Sequence, residues 1–186
     1  MLTDVGGVPR RLAIMFTDIV GSTDLVLTLG DEAWLTLLRW HNAVLRSCFV
    51  THGGREVNEL GDGFLAVFEC PLAALHCALK IQEQLAVGRE HHRCGIHVRI
   101  GVQWVDVLET SDDNYVGRGV HETERIKEQA GSDEVLVGLA ALEAAGNGFP
   151  RSDVRYVSLR GFPEPVELVS LQGGSRIVSA DVTADQ

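Results

Sequence analysis

Apolar runs of strand character alternate in this chain with segments at helical spacing, which predicts an α+β fold. The order is strand, helices, hairpin, helix, strand, helix, strand. That is a ferredoxin-like βαββαβ core with helices on one face, extended by an appended helix and a C-terminal hairpin. Two observations weigh most. The run Leu12, Ile14, Met15, Phe16 is apolar without interruption, as in a strand buried on both faces, and it ends at Asp18. Asp62 sits in Gly61-Asp62-Gly63 between two short apolar runs, a hairpin signal.

Each element has its own cause. After Asp18, Gly21-Ser22-Thr23 opens a short helix, with Ser22 or Thr23 placed as N-cap. A longer helix is expected from about Asp31 to Val50, where Trp34, Leu37, Leu38, His41, Leu45, Cys48 and Phe49 form one stripe and Gly53-Gly54 ends it. His41 lies on that stripe and reads as a hydrogen-bonded packing residue. Strands at Arg55 to Leu60 and Phe64 to Phe68 make the hairpin. Pro71 then starts a helix to about Val87, where its missing N–H costs nothing, and residues 88–92 form the loop out. A strand follows from Gly95 to Leu108 and is broken at Ser111 to Asn114. A polar helix runs from about Gly119 to Ala130. Val135 to Val137 is a strand, Leu139 to Ala145 a helix, and Val154 to Leu159 with Val166 to Leu171 a closing hairpin.

At 186 residues the chain reads as one domain over 11–172, with a short N-terminal tail at 1–10 and a fraying tail at 173–186. A net charge of −10 argues against general nucleic-acid binding, which needs a basic face. No apolar stretch approaches the ~20 residues that span a bilayer, and the N-terminus lacks a signal peptide's apolar region, so a cytoplasmic location and no membrane partner are expected. Cys48, Cys70, Cys77 and Cys94 show no Cys-x-x-Cys pair and read as buried thiols.

A buried strand that stops at an acid calls for an explanation. Asp18 either supplies oxygen to a divalent cation, with the amides of Gly21 to Thr23 receiving phosphate, or accepts backbone hydrogen bonds in a strand-to-helix turn. If the hairpin tip lies beside the end of the first strand, Asp18 and Asp62 meet as two unscreened carboxylates, and such a pair needs a cation.

Together, MFTDIVGST and GDGFLAVF about 40 residues later resemble the class III nucleotide cyclases, the adenylate and guanylate cyclases. The resemblance runs from about Arg11 to Leu171 and implies the ferredoxin-like core. It makes Asp18, Ile19 and Asp62 the residues that hold two Mg²⁺ or Mn²⁺ ions, and Gly21, Ser22 and Thr23 the phosphate-receiving turn. One ion would activate the ribose 3′-hydroxyl and the other would neutralise pyrophosphate. Asn58 stands where the family has its purine-selecting lysine, and Asn114 where that lysine's partner falls. In the family's V-N-x-A-x-R stretch, this chain has His121 in place of the ribose-orienting Asn and keeps Arg125 as the phosphate-stabilising cation. Four residues apart on a helix, both point the same way. Arg125 is otherwise an exposed ion pair with Glu122, Glu124 or Glu128. Arg99 and Gly101 match the family's next strand, but its second Gly is here Val105, beside Trp104. Arg99 and Arg160 match places with cations near the polyphosphate.

The resemblance implies conversion of ATP, or GTP, to a cyclic nucleotide and pyrophosphate by a homodimer with active sites at its interface. The alternative is a degenerate cyclase domain that binds nucleotide or a partner without turnover, favoured by Asn58, Asn114, His121 and Val105.

Overall fold

The computed structural model describes residues 7–92, 95–110, 114–146 and 148–172. The core consists of β1 (Val8–Ile19), α1 (Ser22–Leu29), α2 (Asp31–Thr51), β2 (Arg55–Glu59), β3 (Phe64–Phe68), α3 (Pro71–His92) and β4 (Val98–Glu109). Its strands lie in the order β2-β3-β1-β4, all antiparallel, which is the expected βαββαβ core. The chain continues through β5 (Tyr115–Val116), α4 (Arg118–Gln129), β6 (Val135–Gly138), α5 (Leu139–Ala145), β7 (Arg155–Val157) and β8 (Val166–Leu171). β6 pairs parallel to β4 across the α4 crossover, and β8 and β7 extend the sheet beyond it.

β1 is central and sealed on both sides. Ala13 and Met15 join Phe49, Phe64, Phe68, Ile81 and Val102 beneath α2, α3 and α5, while Leu12, Ile14 and Phe16 join Leu65, Val67 and Tyr115 on the other face. Residues Leu12 to Phe16 are each no more than 4% exposed, so each large apolar side chain contributes about 1.5–3 kcal/mol of burial. Phe49 packs edge-on against both Phe64 and Phe68, fixing α2 over the hairpin. His41 is the packing residue expected of it: fully buried, stacked on Phe64 and bonded through Nδ1 to Asn42.

Several expectations need correcting. The core helices α2 and α3 share one face as expected, but α4, beyond the core, crosses the opposite face, with only Gly119, Thr123 and Ile126 buried on it. A crossover between parallel neighbours must pass over one side of the sheet, and so narrow a stripe suffices to cover the Leu12 face. α3 does not stop at Val87. It continues to His92, and Gly88 within it is a packing glycine rather than a loop signal, since a Cβ there would stand 2.0 Å from the Trp40 ring of α2. Ser22 and Thr23 do not cap α1. Gly21 is the N-cap, in the left-handed region at φ +68°, and no side chain bonds the first turn. Sequence patterning also misses β5, a two-residue strand too short to show periodicity. Cys48 and Cys77 are buried thiols, but Cys70 is exposed at the start of α3, and Cys94 lies outside the described residues. No helix among the described residues is long and apolar enough to cross a membrane.

Candidate active site

Strand register places the first part of the site. Asp18, next to last in β1, pairs across the ladder with Arg99 of β4. Arg99 Nε donates to Asp18 Oδ2 at 2.7 Å, and a second guanidinium N–H donates to the same oxygen. Lys127 of α4 brings its Nζ to 3.8 Å from that oxygen. The carboxylate is therefore screened by two cations, which corrects the expectation of an unscreened acid pair.

The hairpin tip closes on the same backbone. Phe64 N–H donates to Thr17 Oγ1 at 3.0 Å, and Leu60 N–H donates to the Gly63 carbonyl at 2.8 Å, which holds the tip as a tight turn. A Cβ on Gly63 would stand 2.0 Å from the Thr17 carbonyl oxygen and 3.1 Å from Asp18 Cα, so only glycine permits this approach. Asp62, half-buried, is thereby carried beside the end of β1. Val20 N–H donates to the His97 carbonyl at 2.8 Å, Gly21 turns the chain, and α1 opens with first-turn amides that no side chain caps. Ile19 is buried between Asp18 and this turn.

A second group of residues gathers around Tyr115. Arg55 of β2 lays its guanidinium over the Tyr115 ring, 5.2 Å from the centroid, and donates to its hydroxyl. The Tyr115 hydroxyl in turn donates to Glu109 at 2.9 Å, and Arg10 donates to the other oxygen of Glu109 at 2.9 Å. Burial, followed by the Glu109 carboxylate, pushes the phenol's pKa up. These side chains line a cavity of about 450 Å³. Asn58 is exposed three residues along β2 from Arg55, next to a bulge that separates it from Glu56. Asn114 precedes Tyr115, and its side-chain oxygen accepts the Tyr115 N–H at 2.9 Å.

α4 presents a third group. His121 is exposed, and Arg125 donates to Glu128 at 2.6 Å, the ion pair left open as its alternative. That acid raises the guanidinium's pKa further. Arg125 and Lys127 are two positions apart, roughly 200° around the helix, so Arg125 faces away from Asp18. Val105 fills the space beneath Gly119, whose Cβ would meet it at 2.5 Å, so its bulk is absorbed between β4 and α4. Arg160 is exposed in the turn before β8.

Within one chain, then, Asp18, Ile19, Asp62, Arg99 and the α1 turn converge, while Asn114 and the Arg125 face of α4 stand apart from them. Sequence reasoning missed Lys127, Arg55 and Tyr115. Lys127 was visible only as part of a polar run, and nothing local marks it as reaching β1.

The comparisons agree with this architecture. The family described as adenylate and guanylate cyclase catalytic domain matches residues 9–168. The chain is 30% identical over 151 residues to an adenylate cyclase of Mycosarcoma maydis, covering 68% of this chain and 6% of that protein. The curated relatives it matches are much longer, and the chain spans between 6% and 34% of their lengths. Its fold is similar to the crystal structure of the guanylyl cyclase Cya2, with a TM-score of 0.85 at 22% identity over 94% of this chain and 98% of that one. The adenylyl cyclase CyaB from P. aeruginosa superposes with a TM-score of 0.84 at 20% identity, over 91% and 97% of the two chains. With Asp18 at the end of β1, Asp62 on the hairpin tip that closes on it, and a family match over most of its length, the chain belongs to the adenylate and guanylate cyclase catalytic-domain family.

Proposed function

We propose that this domain converts a purine nucleoside triphosphate, ATP in preference to GTP, to its 3′,5′-cyclic monophosphate and pyrophosphate, as a homodimer. The observation that supports the reading is the Asp18–Asp62 junction: two carboxylates carried on touching backbone segments beside the uncapped first turn of α1. Asp18, Asp62 and the Ile19 carbonyl form a set of hard oxygen donors, which suits Mg²⁺ or Mn²⁺ rather than a softer metal. Metal bound there would lower the pKa of the ribose 3′-hydroxyl and offset charge on the leaving pyrophosphate.

The chain's own groups do the rest. The amides of Ser22 and Thr23 after Gly21 receive phosphate oxygens, and Arg99 supplies a cation beside them. Asn58 and Asn114 offer amide donors and acceptors to a purine edge, His121 orients the ribose, and Arg125 stabilises charge developing at phosphorus. Arg160 is a further cation for the polyphosphate. The second set comes from the partner subunit in this reading. Two features support that: Arg125 lies on the face of α4 turned from Asp18, and Asn114 lies beyond Glu109. Glu109 pairs with Val8, about ten residues along β1 from Asp18 and so roughly 33 Å of strand away.

The test is incubation of the purified chain with ATP or GTP and Mn²⁺, with the cyclic product separated and quantified. Product is expected with ATP, and Asp62→Ala should abolish it while the fold survives; unchanged turnover in that variant would remove the shared metal site. The second reading, a domain that binds nucleotide without turnover, is favoured by the engagement of the Asn114 side-chain oxygen in its own turn. Metal-dependent nucleotide binding with no cyclic product would establish that reading instead.

A further inference from the structure

The carboxylate on which the proposed metal site depends is held by cations of its own chain. Arg99 binds Asp18 Oδ2 through two N–H groups, and Lys127 Nζ stands 3.8 Å from the same oxygen. The three side chains are largely enclosed: Asp18 is 19% exposed, Lys127 13% and Arg99 31%. Arg99 and Lys127 thus both face the Asp18 carboxylate. Held between two cations, Asp18 brings no free negative charge with which to draw a divalent ion from water, and in an enclosed place that balance is weakly screened.

The two cations differ in how they can leave. Gly101 lets α4 lie directly on β4, because a Cβ there would stand 2.5 Å from the Lys127 backbone nitrogen. Lys127 is therefore anchored at its Cα, and only its flexible stem can yield. Arg99 is the more exposed of the two, and its fork matches phosphate oxygens as well as a carboxylate. A triphosphate arriving at the α1 turn gives Arg99 a second anionic partner and turns the local charge negative.

We propose that Lys127 is a positioning cation that, with Arg99, occupies Asp18 in the empty domain, so that divalent metal binds strongly only together with nucleotide. The inference rests on the reading of Asp18 as a metal-holding residue given above. Charge held beforehand by a lysine is displaced without breaking a covalent or backbone contact, so the metal site stays assembled while closed. The consequence is an order of events: bare metal binds weakly, nucleotide takes Arg99, and Asp18 becomes available.

Mn²⁺ binding followed by the electron paramagnetic resonance of the free ion tests this without reference to turnover. Lys127→Met keeps the apolar stem and removes the charge, and with Mn²⁺ alone it should bind roughly tenfold more tightly than the wild-type chain, the scale of one nearby charge in a partly screened site. Lys127→Arg should restore weak binding. Adding a 3′-deoxy adenosine triphosphate, which lacks the attacking hydroxyl, should raise the affinity of the wild-type chain and remove most of the difference. If Lys127→Met does not give a normal unfolding transition, Lys127→Gln serves in its place. Equal Mn²⁺ affinities of the wild-type and charge-removed chains without nucleotide would overturn the inference, as would Lys127→Arg behaving like Lys127→Met. Asp18→Ala separates the two ideas: loss of Mn²⁺ binding there keeps the metal reading whatever Lys127 does, and unchanged binding overturns both.

Discussion

His121 and Arg125 share the outward face of α4, one exposed and the other hydrogen-bonded to Glu128. An imidazole at position 121 offers the ribose a single donor where an amide offers donor and acceptor together. Restoring the amide with His121→Asn should therefore raise kcat in the cyclase assay, by about a hundredfold if one well-aligned transition-state hydrogen bond is regained. A nucleotide-binding variant with no gain would show that this position does not limit turnover. His41 yields a prediction about stability. Burial holds its pKa below the ordinary 6.5, although the Asn42 hydrogen bond and the charges of Asp62 and Glu59 oppose the shift. The unfolded chain therefore binds a proton that the folded chain refuses once pH falls below about 6.5, and stability declines from there downward until the lower folded pKa is passed. Between pH 7.5 and 5.5 the thermal midpoint should drop less for His41→Gln, which keeps a polar partner for Asn42 but does not titrate, than for the wild-type chain.

Among the elements, the β2–β3 hairpin is the most exacting in its placement. Its tip is fixed against β1 by the Phe64–Thr17 hydrogen bond and by the absence of a side chain at Gly63. Gly63→Ala puts a methyl 2.0 Å from a backbone oxygen, and neither strand can yield without disturbing a ladder packed on both faces. We expect a loss of about 2–4 kcal/mol in urea unfolding, with an unchanged slope. A larger loss of metal affinity is expected as well, since the tip carrying Asp62 must retreat from Asp18. Retained stability would mean that the hairpin can swing freely about β3.

At the scale of the whole molecule, the proposed catalytic groups lie in two places on one chain, and in the proposed homodimer a second copy would bring them together. Asp18→Ala and Arg125→Ala should each be inactive alone. Mixed and allowed to exchange subunits, they form two-fold dimers in which one interface site has both residues and the other has neither. Statistical exchange puts about half of the dimers in the mixed form with one live site each, so recovery should approach about a quarter of wild-type turnover. Exchange demonstrated by labelled subunits, without recovered product, would place both residues in a site within one chain.

Some of this molecule follows from neighbouring residues alone. The Leu12 to Phe16 run is apolar at every position, so β1 had to lie inside a sheet covered on both sides. Gly61-Asp62-Gly63 makes a turn by local backbone preference, and Leu139–Ala145 is a helix with the bounds its composition suggests. Other features have no local cause. Residue 88 has to be glycine because Trp40, from another helix, lies where a Cβ would stand, and α4 takes the Leu12 face because of the direction of a crossover. The contact that most alters the reading of the site, Arg99 on Asp18, joins residues 81 positions apart. Periodicity and turn chemistry act over a few residues and so determine what each segment becomes, whereas strand register and helix packing are settled by burial across the whole chain. That is why Asp18 and Asp62 could be paired from the sequence by motif, while the cations that hold Asp18 came to light only once β4 and α4 were in place.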